Sequence, residues 1–248
     1  VGKKEFLEIK KEIHFPHSIG LLYSAFTYYT GFKVNSGEYK LMGLAPYGNP
    51  IYKNKVKKLI DIKDDGTFRM DQTYFNYSTG FKMTSEKFHK LFGQKPRDPN
   101  KERITQFHMD IAASIQAVTE EIMIKLAKAA RIDHGIKNLC LAGGVALNCV
   151  ANGKILRSKI FDRIWIQPAA GDAGGSLGAA LALWYLENGN KRVSNSDDDM
   201  KGAYLGNEFS QDEIEKELNL AGAKFETFDY ENLIKNTSDL ISNDKIIG

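Results

Sequence analysis

From Ile111 the apolar residues Ile115, Val118, Ile122, Leu126 and Ala129 recur at three- to four-residue intervals. This spacing keeps one helix face apolar for about five turns and predicts a helix that stops near His134-Gly135, since glycine accepts the left-handed backbone of a helix end. The run Ile19 to Phe26 has the same period and predicts a second buried helix, entered through His14-Phe15-Pro16-His17-Ser18. Residues 49–104 lack a sustained period. Their Lys53 to Lys58 cluster, Asp64-Asp65-Gly66 turn and alternating Thr67-Phe68-Arg69-Met70 predict a surface insertion carrying a hairpin.

Further along, a predicted strand at Asn138 to Leu141, a turn at Ala142-Gly143-Gly144 and a helix from Asn148 to Leu156 precede a strand at Arg163 to Gln167, a second glycine turn and a helix from Ser176 to Leu186. Strand, glycine turn and helix thus occur twice. That alternation argues for an α/β layer whose loops gather at the strands' carboxyl ends, where such folds bind ligands. Past Asn188 the run Ser194-Asn195-Ser196-Asp197-Asp198-Asp199 predicts a surface connection and a boundary. Beyond it Ser210 is suited to cap a helix from Asp212 to Leu220, and Lys245-Ile246-Ile247-Gly248 reads as the opening of a strand. With Val1 in the place of an initiator Met, the expectation is an excised piece of a longer chain.

Composition narrows the class. At 248 residues, 42% hydrophobic and 26% charged, the chain suits one or two globular domains. Thirty-four Lys and Arg against 31 Asp and Glu leave a net charge of +3, too small an excess to point to nucleic acid or a membrane as partner. Cys140 and Cys149 lack the spacing of a zinc or redox motif and read as buried thiols in a reducing compartment. No apolar stretch approaches the roughly 20 residues of a membrane span, and Val1-Gly2-Lys3-Lys4-Glu5 is no signal peptide, so the expected location is the cytoplasm.

Five features carry candidate chemistry. In Leu141-Ala142-Gly143-Gly144-Val145-Ala146-Leu147-Asn148 the adjacent glycines let backbone amides approach a phosphate or adenosine, with Asn148 as a side-chain contact, although a tight strand-to-helix turn needs glycine too. Asp172, within Ala170-Gly171-Asp172-Ala173-Gly174-Gly175, suits a metal that bridges phosphate oxygens, or a helix N-cap, the commoner role of a lone Asp before a helix, and the two roles are compatible. His17 is a candidate base, substrate contact or cap. The Lys53 to Lys58 cluster suits an anionic acceptor or a solvated face, and Phe26, Tyr28, Tyr29 and Phe32 suit a sugar platform or a core. Neither turn has P-loop or dinucleotide-fold spacing.

The paired glycine turns resemble the second half of the actin-like ATPase superfamily. Read with Phe15-Pro16-His17-Ser18-Ile19-Gly20 and with Glu38-Tyr39-Lys40-Leu41-Met42-Gly43-Leu44-Ala45-Pro46-Tyr47-Gly48, they more closely resemble the NodU/CmcH carbamoyltransferases. The resemblance covers residues 12–190, and Tyr204-Leu205-Gly206 with Ser210 and Glu213 looks like that family's link toward its carboxyl-terminal portion.

The resemblance implies an α/β, actin-like ATPase (ribonuclease H-like) domain over 12–190, mostly its carboxyl-terminal half, with 49–104 as an α+β insertion and 191–248 as linker and start of a carboxyl-terminal region. It implies ATP and carbamoyl phosphate as sources of a carbamoyl-adenylate, whose carbamoyl group passes to a hydroxyl of a sugar or secondary metabolite. Gly143, Gly144, Val145 and Asn148 would hold the adenylate, with Glu38 and Lys40 as further nucleotide contacts, and Asp172 would ligate a divalent Fe or Mg ion. A homodimer is an assembly the resemblance admits. The resemblance places paired metal-binding histidines and a phosphate-binding Asp-x-Gly turn in the family's amino-terminal half, neither is assigned to residues of this chain, and His108 and Asp110 are no substitute, so the 248 residues alone are expected to be inactive. An actin-like small-molecule kinase, a non-catalytic nucleotide-binding module and a tRNA-modifying relative are the alternatives.

Overall fold

A computed structural model of the chain describes residues 1–4, 6–193 and 198–248. They fall into two units, Val1–Asp197 and Asp198–Gly248. The first opens with an antiparallel ribbon of β1 (Gly2–Lys3) and β2 (Phe6–Leu7). Helix α1 (Ile19–Tyr29) follows, capped by Ser18, whose Oγ accepts the Leu21 N–H at 3.2 Å. Next come α2 (Glu38–Leu44), the single turn α3 (Lys53–Val56), the antiparallel hairpin β3 (Ile60–Ile62) and β4 (Phe68–Met70), and α4 (Glu86–Phe92).

The long helix α5 (Gln106–His134) organises what surrounds it. Its Ile111, Ile115, Val118 and Ile122 are fully buried against Leu22, Ala25, Phe26 and Tyr29 of α1, with Phe88 meeting Phe26 and Tyr29 edge-on at centroid distances of 5.2 and 5.0 Å. Each such buried aromatic contributes about 2–3 kcal/mol. The helix ends at Gly135, in the left-handed conformation at φ 65°, as its sequence predicts. Phe26 and Tyr29 are core residues, not a sugar platform.

The expected hairpin forms, yet residues 49–104 are not a surface layer. Val56, Leu59, Phe68, Met70, Phe75, Phe88 and Phe92 all enter the core shared with α1 and α5. Several short elements each contribute one to three of these residues, so no long apolar period marks the segment.

One turn further along, α5 turns Met123 and Ala127 toward a second core built on β5 (Asn138–Leu141), α6 (Cys149–Arg157) and β6 (Arg163–Ile166), with Ala151, Ile155 and Phe161 at its centre. Strands β5 and β6 are parallel, with Leu139 opposite Ile164 and Cys140 opposite Trp165. Alternation sends Leu139 and Ile164 into this core and leaves Cys140 and Trp165 exposed on the other face. Cys149, at the first position of α6, is exposed too, so the expectation of buried thiols is corrected at both positions. Helix α7 (Ala173–Ala182), which runs on as a π-helical turn, Leu183–Glu187, completes the repeated strand–turn–helix order. The chain is thus a mixed α/β protein.

The expected connection at 194–197 lies outside the described residues. In the second unit, α8 (Gln211–Leu220) has the expected cap in full: Ser210 Oγ accepts the Glu213 N–H, and Glu213 Oε2 accepts the Ser210 N–H at 2.8 Å. Helix α9 (Tyr230–Ser242) is capped by Asp229. Residues 245–248 form no strand, and Ile246 is fully exposed. A strand needs a neighbour to receive its hydrogen bonds, and a local apolar run does not supply one. No described helix is long and apolar enough to cross a membrane.

Candidate active site

Because β5 and β6 run parallel, the two loops that leave them emerge on the same side. Backbone hydrogen bonds stitch those loops together: Gly143 N–H donates to Ala170 O at 2.7 Å and Gln167 N–H to Leu141 O at 3.0 Å. Gly143 sits at φ 92°, a conformation costly for any side-chain-bearing residue. In the second loop, a Cβ on Gly174 would stand 2.1 Å from the Ala169 carbonyl oxygen. Both glycines are therefore dictated by the turn itself, before any ligand is considered.

The loops close one end of a cavity of about 550 Å³ whose other walls are α1, α2 and a point on α5. Gly144, Val145, Asn148 and Asp172 line it together with Glu38, so five of the residues singled out in the sequence converge here. Leu21, Tyr39, Met42 and Leu147 give it an apolar lining, which suits a planar base. Glu38 projects a carboxylate into it, held by Ser24 Oγ–H at 2.8 Å, Asn35 N–H at 3.0 Å and Gly37 N–H at 3.2 Å. Lys40 is not brought to this cavity; it is exposed, with its ammonium 5.9 Å from the Tyr39 ring centroid. His17 lines a different cavity, of about 800 Å³, where its Nδ1 accepts the Met70 N–H at 3.1 Å.

Asn148 is more deeply committed than its motif suggests. Its Oδ1 accepts the Ala151 N–H at 3.0 Å, capping α6, and also the Gln116 Nε2–H at 3.1 Å, while its Nδ2 donates back to Gln116 Oε1 at 3.0 Å. Gln116 in turn accepts from the Tyr23 hydroxyl at 2.9 Å and donates to Glu120 at 2.9 Å, and Glu120 is ion-paired with Lys154. Burial, reinforced by the Glu120 and Glu38 carboxylates, pushes the Tyr23 hydroxyl pKa up and keeps it a neutral donor. Tyr23, Gln116, Glu120 and Lys154 are absent from the sequence-derived site. The legible signal is Gln116 and Glu120, two polar residues four apart and so on one face of α5.

Asp172 is exposed and makes no capping hydrogen bond to α7, so the helix-cap alternative is not realised. As a metal ligand it would bring a single carboxylate to the cavity. Among the described residues no group of three His, Cys, Asp or Glu side chains stands where it could hold an ion, so these residues do not make up a metal site and no step is derived through one.

A family model described as the carbamoyltransferase N-terminus matches residues 1–181. The chain belongs to this carbamoyltransferase family. The uncharacterized protein sll1178 of a Synechocystis species is 54% identical over 240 residues, covering 96% of this chain and 39% of that protein. Two nodulation proteins, NolNO of Sinorhizobium fredii and NolO of Bradyrhizobium diazoefficiens, are each 33% identical over 97% of this chain, which covers 34% and 41% of their lengths. This carbamoyltransferase-family chain therefore spans less than half the length of these relatives.

Proposed function

We propose that the chain is part of an ATP-dependent O-carbamoyltransferase in which the cavity between the two glycine loops and α1–α2 holds a carbamoyl-adenylate. The observation that carries this reading is the convergence of Gly144, Val145, Asn148 and Asp172 on one apolar-lined cavity in a member of the carbamoyltransferase family. The order β5, turn, α6, β6, turn, α7 supports an actin-like ATPase architecture.

In the transfer, an acceptor hydroxyl oxygen bonds to the carbamoyl carbon, the bond from that carbon to the phosphate oxygen breaks, AMP leaves with the electron pair, and the hydroxyl proton passes to a base or to water. The residues here bind and orient. The Gly143, Ala146 and Gly174 amides are spent inside the turns, so in this reading Gly144, Val145, Gly171 and Asp172, which line the cavity, would meet the leaving phosphate, and the apolar wall would receive the base. Glu38, fixed by three donors, is positioned to accept a hydrogen bond from a ligand hydroxyl. A divalent Fe or Mg ion would find only Asp172 as a ligand here and would need its other ligands from outside the described residues, so no step is routed through it. His17, lining the other cavity, is not assigned as the base. The reading includes a small-molecule acceptor, a cytoplasmic location and a homodimeric assembly.

The test uses the whole protein that contains this chain, supplied with ATP, carbamoyl phosphate and a panel of hydroxyl acceptors. AMP and pyrophosphate that depend on carbamoyl phosphate are expected, and Asp172→Asn should lower transfer without altering the thermal midpoint. ADP as the product would favour an actin-like kinase. Absence of turnover together with AMP binding would favour a nucleotide-binding module.

A further inference from the structure

Two features that stand out in the sequence take no part in the glycine-loop cavity: His17 and the Lys53 to Lys58 cluster. The structure brings them together. Both border the cavity of about 800 Å³ formed by the β3–β4 hairpin, the end of α3 and one side of α5.

The charges of that cavity are unevenly paired. Its three carboxylates are already engaged: Glu121 by Lys53 at 2.9 Å and Lys57 at 2.7 Å, Asp61 by Lys63, and Asp71 by Lys87 at 3.3 Å and the Thr73 hydroxyl at 2.6 Å. Lys125 reaches only the Lys63 carbonyl oxygen at 3.3 Å and, at 3.9 Å, Asp64. Lys58 and Arg69 form no ion pair within 4 Å among the described residues, although Asp61, itself paired with Lys63, stands opposite Arg69 across β3–β4, and both cations line the cavity. His17 adds a donor, because its Nδ1 accepts the Met70 N–H, so that a neutral ring carries its proton on Nε2.

A planar guanidinium, an ammonium and an imidazole N–H, none of them engaged in an ion pair, make up a donor set suited to a phosphoryl group: Arg bonds two oxygens in a fork and Lys adds a point charge. The cavity is large enough to take a sugar ring as well. We infer that this cavity is a second ligand site, separate from the glycine-loop cavity, which binds a phosphate-bearing small molecule through Arg69, Lys58 and His17. Consecutive residues connect the two sites, since His17 lines this one and Ser18 lines the other.

Calorimetric titration of the protein with glucose 6-phosphate, and with glucose as the neutral control, tests the inference. The phosphate ester should bind and glucose should not, with affinity falling as salt is raised. Arg69→Gln should weaken binding about tenfold and Lys58→Gln several-fold. Lys128→Gln, which removes one positive charge from an exposed position outside the cavity, should leave binding unchanged. Arg69 and Lys58 are exposed, so both variants should fold, which an unchanged thermal midpoint verifies. Saturating AMP should not displace the ester. Failure of the wild-type protein to bind at millimolar ester, binding unaffected by Arg69→Gln, equal weakening by Lys128→Gln, or displacement by AMP would each overturn the assignment.

Discussion

Gln116 and Asn148, 32 positions apart in sequence, exchange two side-chain amide hydrogen bonds, at 3.0 and 3.1 Å, in a setting that buries both. The pair fastens the first glycine loop to the central helix α5. Because Asn148 also caps α6, one residue fixes the loop, the helix start and the cavity wall together. Replacing Gln116 by Leu leaves the Asn148 amide, the Tyr23 hydroxyl and the inner oxygen of Glu120 without their partner. The expected cost is about 2–4 kcal/mol in urea denaturation, with faster amide exchange at the start of α6.

Gly174→Ala should act through the backbone. The added Cβ meets the Ala169 carbonyl at 2.1 Å, so the second loop must shift, at a cost of about 1–3 kcal/mol. The shift would move Gly171 and Asp172 at the cavity, and AMP affinity measured by calorimetry should fall more than stability alone explains.

Thr119 predicts a gain. Buried hydroxyls elsewhere in the helices bond back to the carbonyl four residues earlier, as Thr27 does to Tyr23 at 3.0 Å, Thr30 to Phe26 at 2.9 Å and Ser114 to Asp110 at 2.6 Å. Thr119, 1% exposed, has no partner for its Oγ1 among the described residues. Thr119→Val keeps the shape and removes the unsatisfied group, so the thermal midpoint should rise by about 2–4 °C. An unchanged or lower midpoint would contradict the geometry.

The pH dependence follows from two buried histidines. Burial, with the Arg97 guanidinium alongside, holds the His108 pKa below its usual 6.5, and burial does the same for His89 against the opposing pull of Glu86. The unfolded chain then takes up protons at a higher pH than the native one. The stability these residues confer is complete above about pH 6.5 and declines as the pH falls from there toward their native values. Urea midpoints measured above pH 7 and below pH 6 should differ in that direction, and His108→Asn should shrink the difference.

Much of the fold is legible locally. The apolar period from Ile111 to Ala129, the stop at Gly135, the strand Asn138–Leu141 and the Ser210 cap depend on interactions within a few residues of one another, and each forms where the sequence predicts it. The Lys245 to Gly248 run fails the same test, because a strand depends on a partner that no local pattern specifies. Cys140 departs from its expected burial for a related reason: alternation along β5 gives two faces, and only the packing of α5 and α6 decides which one is covered.

By itself the sequence determined the helix periods, the glycine turns and the candidate ligand-contacting residues, since these depend on backbone preference and side-chain chemistry. Tertiary structure decided which of them share a cavity. It set Glu38 and Asp172 beside the glycine loops, moved His17 to the hairpin cavity with Arg69 and Lys58, and recruited Gln116 and Glu120 from the middle of α5 to hold the first loop in place. Those groupings join residues tens of positions apart, and they exist only because burial of the two cores fixes α1, α5 and the β5–β6 pair against one another.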